Sequence, residues 1–298
     1  MTIQTSDLHK AYGHHEALRG LTLSVPEGAA LALIGANGAG KTTTIKVLMN
    51  ILAPSSGMAT ILGVDSRRLS PREFAQIGYV SENQRMPGKL TVAQYLAHLR
   101  PFYANWDNVL ERSILDRLRL PPERRIRDLS HGMRMKMALA CALPFRPKLL
   151  VLDEPFSGLD PLVREEFMES LLEQAGSMTV LISTHELADI EDVATHVAFL
   201  DDGTLLFQEA MSDLTGRMRR VQIVLNQEAI EPPQTPPSWL QVRALGNVLS
   251  FVETRFSQRE LDARIATAVA GVRSVDVQLL SLRSIFIATA RNAQRKAG

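Results

Sequence analysis

The nine residues from Gly35 to Thr43, GANGAGKTT, constrain this chain more than any other segment. They follow a short apolar run, Ala30–Ile34, and open a segment that reads as a helix from Lys41. The spacing fits G-x-x-x-x-G-K-[ST], and a strand before with a helix after is the context that gives that pattern its meaning. Gly35, Gly38 and Gly40 let backbone N–H groups wrap an anion without a Cβ in the way, with Asn37 and Ala39 completing the loop. The following helix directs its positive N-terminal end at the same anion. Lys41 is therefore expected at the β- and γ-phosphates of a nucleotide, the Thr42 hydroxyl on Mg²⁺, and Thr43 at a further phosphate oxygen.

A second segment supplies what this loop lacks. LLVLDEP at 149–155 is an apolar strand ending in two carboxylates. Asp153, at the strand tip, suits a Mg²⁺ ion, and Glu154 suits the general base that faces an attacking water. Further strands are predicted at Thr179–Ser183 and His196–Leu200, the latter closed by an Asp-Asp-Gly turn at 201–203. Strands alternating with helices indicate an α/β core with a mainly parallel sheet. Residues 85–145 interrupt the alternation with helical patterns at Val92–Leu99, Val109–Leu118 and Met133–Leu143, read as an inserted helical subdomain.

Beyond residue 210 the character changes. Residues 1–210 carry net charge −4 and residues 211–298 carry +5, and a Pro-rich stretch occupies 232–237. Strands are predicted at Val221–Leu225, at Leu240–Leu245 and Val248–Thr254 around a Gly246-Asn247 turn, and at Val272–Leu280. Ser257-x-x-Glu260 reads as a capping box opening a helix to about Ala270, and Arg283–Ala290 as a short final helix. The expectation is a cassette at 1–210 and a small α+β domain at 211–298.

Charge and cysteine content remove other classes. A net charge of +1 argues against a protein built to coat nucleic acid. The single cysteine, Cys141, excludes an internal disulfide framework and fits a reducing compartment. No apolar run approaches the ~18–20 residues of a membrane-spanning helix, and the N-terminus carries no apolar signal core. A cytoplasmic protein is expected, unless a partner holds it at a membrane.

Five more segments carry a resemblance to a known family. LSHGM at 129–133 resembles the signature sequence, usually LSGGQ, of the ATP-binding-cassette (ABC) ATPases, and stands before LLVLDEP as it does there. SGLD at 157–160, STHEL at 183–187, AYG at 11–13 and IGYVSEN at 77–83 resemble the D-loop, switch-histidine, A-loop and Q-loop segments. The resemblance spans roughly residues 3–205. It implies a P-loop NTPase core with an inserted helical subdomain, and it implies roles residue by residue. Tyr12 would stack on adenine, His185 would contact the γ-phosphate and orient water, and Glu82 would reach Mg²⁺ or its water. Ser130 and Gly132 would meet the γ-phosphate held by a second, head-to-tail subunit, with Asp160 tying the two together. ATP and Mg²⁺ are the implied cofactors.

Departures from the family pattern fall at Glu82, where Gln is usual, and at His131 and Met133 in the signature. A signature with a basic residue and Met looks like those of drug, antibiotic and polysaccharide exporters whose permease is a separate chain. The implied partners are that permease and a second ATPase subunit, most simply a homodimer, with no nucleic acid. The implied location is the inner face of the cell membrane. Permease contact is expected between Glu82 and Tyr103, with Pro87, Leu90, Leu99, Phe102 and Tyr103 as apolar anchors. The competing reading is a soluble ABC protein acting on ribosomes or nucleic acid.

Overall fold

Short runs of Val, Ile, Leu and Ala with no polar alternation, such as ALALI, LLVLD and TVLIST, can be satisfied only as strands covered on both faces. In the computed structural model they are so covered. It describes residues 1–82, 84–176, 178–187, 190–228 and 235–297. The chain divides into two compact units, Met1–Gln208 and Glu209–Gly298.

The first unit runs β1 (Ile3–Tyr12), β2 (His15–Leu21), β3 (Ser24–Val25), β4 (Ala30–Ile34), α1 (Lys41–Leu48), β5 (Ser56–Ile61), β6 (Val64–Asp65), α2 (Pro71–Phe74), β7 (Ile77–Ser81), α3 (Val92–Leu99), α4 (Asn108–Arg117), α5 (His131–Ala142), β8 (Leu149–Asp153), α6 (Pro161–Ala175), β9 (Thr179–Thr184), β10 (His196–Asp201) and β11 (Thr204–Ala210). A six-stranded sheet has the order β11-β10-β4-β9-β8-β7, and the pairs from β10 to β7 are parallel. A second sheet, β2-β1-β5-β6 with β3 beside β1, is antiparallel. The core beside α1 gathers Leu31, Leu33, Ile45, Leu48, Val151 and Leu181, all fully buried.

The parallel register places the site. Ile34 lies opposite Thr184, Ser183 opposite Asp153, and Asp153 opposite Ser81. Strands β4, β9, β8 and β7 therefore end on one line, and the next residues are Gly35, His185, Glu154 and Glu82. Four segments distant in the chain thus converge at the carboxyl edge of a parallel sheet, where ligands of α/β folds bind.

The helical subdomain is built on local signals. Thr91 and Gln94 form a reciprocal capping box at α3, and Asp107 caps α4 through the amides of Val109 and Leu110. Helix α5 begins at His131, two residues earlier than the pattern from Met133 suggests, because the Ser130 side chain accepts a hydrogen bond from Met133 N.

In the second unit α7 (Met211–Arg217) precedes β12 (Arg219–Leu225), β13 (Trp239–Leu245), β14 (Val248–Glu253), α8 (Gln258–Ala268), β15 (Val272–Leu279) and α9 (Leu282–Ala297). The strands form an antiparallel sheet, β13-β14-β12-β15. Its core includes Val221, Ile223, Leu249, Phe251 and Leu261, with the Trp239 ring stacked on Phe251 at 3.8 Å. The fully buried Glu253 carboxylate is satisfied by Trp239 Nε1 at 3.1 Å and Arg264 Nη1 at 2.9 Å. Two sequence expectations need correction. Ser257 is the N-cap of α8 but makes no side-chain capping bond, and Glu260 pairs with Arg264 one turn on instead. The final helix extends to Ala297 rather than ending near residue 290. The first half of the Pro-rich stretch lies outside the described residues.

Candidate functional site

The phosphate loop is shaped by two glycines in particular. Gly40 adopts φ +105°, and a Cβ there would stand 2.7 Å from the Ala17 carbonyl oxygen. Gly35 lies so close to β10 that a Cβ would stand 2.5 Å from the Leu200 carbonyl oxygen. Asn37 and Gly38 are exposed at the loop tip, Ala39 is buried beneath it, and Thr42 and Thr43 are half-buried on the first turn of α1.

Lys41 is 4% exposed, and its ammonium donates to the carbonyl oxygens of Gly35 at 2.7 Å and Ala36 at 3.1 Å. It also pairs with Glu154 Oε1 at 3.0 Å. The Thr42 hydroxyl donates to Asp153 Oδ1 at 3.0 Å, and Ser183 Oγ donates to the same oxygen at 2.8 Å. Two consecutive carboxylates therefore reach two consecutive residues at the start of α1. Along a strand, neighbours point to opposite faces. The alternation is broken here because Glu154 adopts φ +50°, in the left-handed region that non-glycine residues rarely occupy. Its amide donates to Ser183 Oγ at 2.9 Å, which pins that turn. Such strain costs about 1–3 kcal/mol and persists where the surroundings over-determine it.

Burial raises the Asp153 pKa above its ordinary value; the Ser183 and Thr42 hydrogen bonds oppose this and the neighbouring Glu154 charge adds to it. Glu154 Oε2 is held by His185 Nδ1 at 2.8 Å. Lys41, Thr42, Asp153, Glu154 and His185 thus form one connected cluster. Beside it lies a cavity of about 330 Å³ lined by Thr42, Lys46, Tyr79, Ser81, Glu82, Gln84, Asp153 and Glu154.

That lining is a test of fit for Mg²⁺. Its donors are hydroxyl and carboxylate oxygens, the hard ligands the ion prefers. Among the described residues no three His, Cys, Asp or Glu side chains form a ready-made cage. Mg²⁺ typically takes one or two carboxylates, waters and substrate phosphates, so Thr42 and Asp153 suit an ion that arrives with a nucleotide. Glu82 lines the same cavity, but its hydrogen bond is from Ser157 Oγ to Oε1 at 2.9 Å.

The remaining candidates occupy other parts of the unit. Tyr12 ends β1 with 47% exposure, its ring face under Lys10 Nζ at 5.1 Å. Ser130 caps α5, and Gly132 faces Val163 and Leu159, where a Cβ would come within 3.2 Å of Val163. His131 is the first residue of α5 and does not adopt a positive φ. Asp160 caps α6, accepting from Val163 N at 3.1 Å. Asn83 of the Q-loop segment lies outside the described residues.

Three residues escaped sequence reasoning. Ser183 joins Asp153 to the Glu154 amide, a link visible only once β8 and β9 are paired in register. Ser157 contacts both Glu82 and His131. Gln84 lines the cavity beside Asp153 and also a second, apolar groove of about 430 Å³ between β7 and the helical subdomain. Leu99 and Tyr103 line that groove with Phe74, Tyr95 and Phe145. Pro87, Leu90 and Phe102 are not in its lining, and Phe102 is 67% exposed.

Known proteins resemble this chain over the segment that carries these features. The family model described as ABC transporter matches residues 18–157. An uncharacterized ABC transporter ATP-binding protein of Bacillus subtilis, YxlF, is 33% identical over 71% of this chain and 72% of its own length. The bacitracin transport ATP-binding protein BcrA of Enterococcus faecalis is 30% identical over 73% of this chain and 72% of its own. A solved structure described as the ATP binding subunit of an ABC transporter superposes with a TM-score of 0.66 at 30% identity, covering 72% of this chain and 92% of that one. The loop, the paired carboxylates and the ordered segments between them therefore have a common origin: this chain belongs to the ABC transporter ATP-binding proteins and is an ABC-type ATPase.

Proposed function

We propose that the chain powers a membrane exporter by ATP-driven, head-to-tail dimerisation, with Glu154 as general base. The observation that carries this is the pairing of Glu154 and Asp153 with Lys41 and Thr42 at the start of α1. A triphosphate in the loop would take over Lys41, leaving Glu154 held by His185 and free to accept a proton from water. Positioned general bases contribute about 10²–10⁴-fold to rate. Thr42 and Asp153 would hold Mg²⁺, with Glu82 at its water. When bound, the ion neutralises charge developing on the phosphates. Tyr12 offers its exposed ring to adenine. Ser130, Gly132 and the α5 N-terminus offer the second subunit's nucleotide a positive helix end, with Asp160 at the junction.

The exporter assignment rests on the departures in the signature sequence and on the relative named for bacitracin transport. No described helix is long and apolar enough to cross a membrane, so a separate permease would supply the path and hold the chain at the membrane's inner face. The apolar groove beside β7, with Leu99 and Tyr103 in its lining, suits a helix of that permease. The test is Glu154→Gln. The variant should bind ATP, lose turnover by 10²-fold or more, and run as a dimer in size-exclusion chromatography with ATP. Hydrolysis at the wild-type rate would remove Glu154 from the mechanism.

A further inference from the structure

The two departures at Glu82 and His131 lie far apart in the chain, yet they meet on one residue. Ser157 donates its hydroxyl to Glu82 Oε1 at 2.9 Å, and its carbonyl oxygen lies 3.0 Å from His131 Nε2. A carbonyl oxygen only accepts, so Nε2 carries a proton and His131 is the donor. The imidazole also covers Gly158, where its nearest ring atoms stand 3.6 Å from the position a Cβ would take. The Ser157 amide in turn donates to the Glu154 carbonyl oxygen at 3.3 Å.

We infer that Ser157 is a positioning residue that ties Glu82 to His131, so that a shift of the Glu82 loop is passed to the N-terminus of α5 in the same protomer. One end of the link borders both cavities: Glu82 lines the one beside Asp153, and Gln84, two residues on, lines both it and the apolar groove. The other end is the first residue of α5, next to its capping Ser130. Gln at position 82 would offer a neutral acceptor, and Gly at 131 would offer no side chain. The carboxylate makes the bond to Ser157 charge-assisted, which is about twice as strong as a neutral one. The two departures therefore strengthen one bridge. The consequence for catalysis rests on the reading that the α5 N-terminus meets the second subunit's nucleotide; the bridge itself does not.

The test has two arms on the full chain. The first is hydrogen exchange without nucleotide. Glu82→Ala and Ser157→Ala should each raise exchange at the amides of residues 131–134, although the bond each removes is the Ser157 hydroxyl to Glu82 and not the Ser157 carbonyl to His131. Unchanged exchange there in both variants overturns the bridge, whether or not the chain hydrolyses ATP. The second arm is steady-state ATPase in a double-mutant cycle of Glu82→Ala with His131→Leu. Residues sharing one hydrogen-bond network show non-additivity, here expected at about threefold or more in kcat, with KM for ATP unchanged by His131→Leu. Repeating the cycle in Ser157→Ala should make the two effects additive. His131→Gln, which keeps an N–H donor, should restore most of what His131→Leu loses. Additive effects in the active wild-type background overturn the inference and leave the ATPase reading standing; a wild-type chain without turnover fails that reading, and the exchange arm still decides the bridge.

Discussion

Lys41→Met removes an ammonium that serves the loop before any nucleotide arrives, and the size of the effect can be worked from its contacts. Nζ has three donors and places them on Gly35 O, Ala36 O and Glu154 Oε1. The Lys41 side chain is 4% exposed and that of Glu154 14%. Breaking a buried pair on one side costs about 3–5 kcal/mol, because it leaves an uncompensated charge. Glu154 keeps His185 Nδ1 at 2.8 Å and some exposure, which points to the lower end, about 3 kcal/mol. In a Glu154→Gln background no charge is stranded, and the same substitution should cost about 1 kcal/mol, the worth of an ordinary hydrogen bond. The expected coupling is therefore about 2 kcal/mol, within the range for residues in contact.

The two tryptophans make the measurement clean. Trp106 belongs to the first unit and Trp239 to the second. In a Trp239→Phe background, Trp106 fluorescence during urea denaturation reports the cassette alone, which avoids treating a two-unit chain as one two-state system. Calorimetry on the same proteins should show ATP binding weakened by about 10-fold or more in Lys41→Met, since charge-assisted contacts are worth about 1.5–3 kcal/mol. Equal destabilisation by Lys41→Met with and without Glu154 would refute the pairing, and unchanged ATP affinity would refute the placement of Lys41 at the phosphates.

Two further outcomes follow from the same structure. Asp153 has its pKa raised chiefly by burial, so the folded state holds its proton longer than the unfolded one, and wild-type stability should fall as pH rises from 3.8 to the folded value. Asp153→Asn, which can still accept from Thr42 and Ser183, should lack that loss in a Tm-against-pH series while abolishing Mg²⁺-dependent turnover; a variant with a lower Tm at pH 7 would contradict this. Truncation after Ala210, where β11 ends, should leave a folded cassette that binds ATP, because the second unit has its own core of Val221, Ile223, Trp239 and Phe251; a soluble product without ATP affinity would refute that boundary.

The legible parts of this chain are those where one local signal decides the outcome. A short apolar run such as LLVL, bounded by turn residues, suits a doubly covered strand, and the glycines of the loop permit the positive φ its turn requires. The sheet of β1, β2, β3, β5 and β6 left no such mark. Strand β1 alternates only at its start, and its pairings with β2 and β5 contain register shifts that break a two-residue period. The Ser257 capping box failed for a related reason: Arg264, one turn on from Glu260, offers its carboxylate a charge-assisted partner at 2.6 Å, stronger than a backbone amide. Residue identity at the site was legible from motif order, but partnership was not. Nothing in STHEL says that its serine will bridge Asp153 and the Glu154 amide, since that contact exists only through the register of β8 on β9.

The partnerships also bear on how such a site can turn over. Lys41 is satisfied by Glu154 and by the Gly35 and Ala36 carbonyls, Thr42 by Asp153, and Glu154 by His185. Buried polar groups left without partners cost about 1–3 kcal/mol each, so a cluster in which each member already has one is stable without ligand. Binding a triphosphate then exchanges contacts rather than creating them, and only the difference appears as affinity. The most consequential exchange is at Lys41, where phosphate oxygens would replace a carboxylate. If Glu154 is the base proposed above, the same step would release one of the two groups restraining it, so that arrival of the substrate and unmasking of the base would become a single event. Under that proposal a Glu154 held only by His185 would be the arrangement a general base needs, and the Lys41 pairing is the contact that would have to yield first.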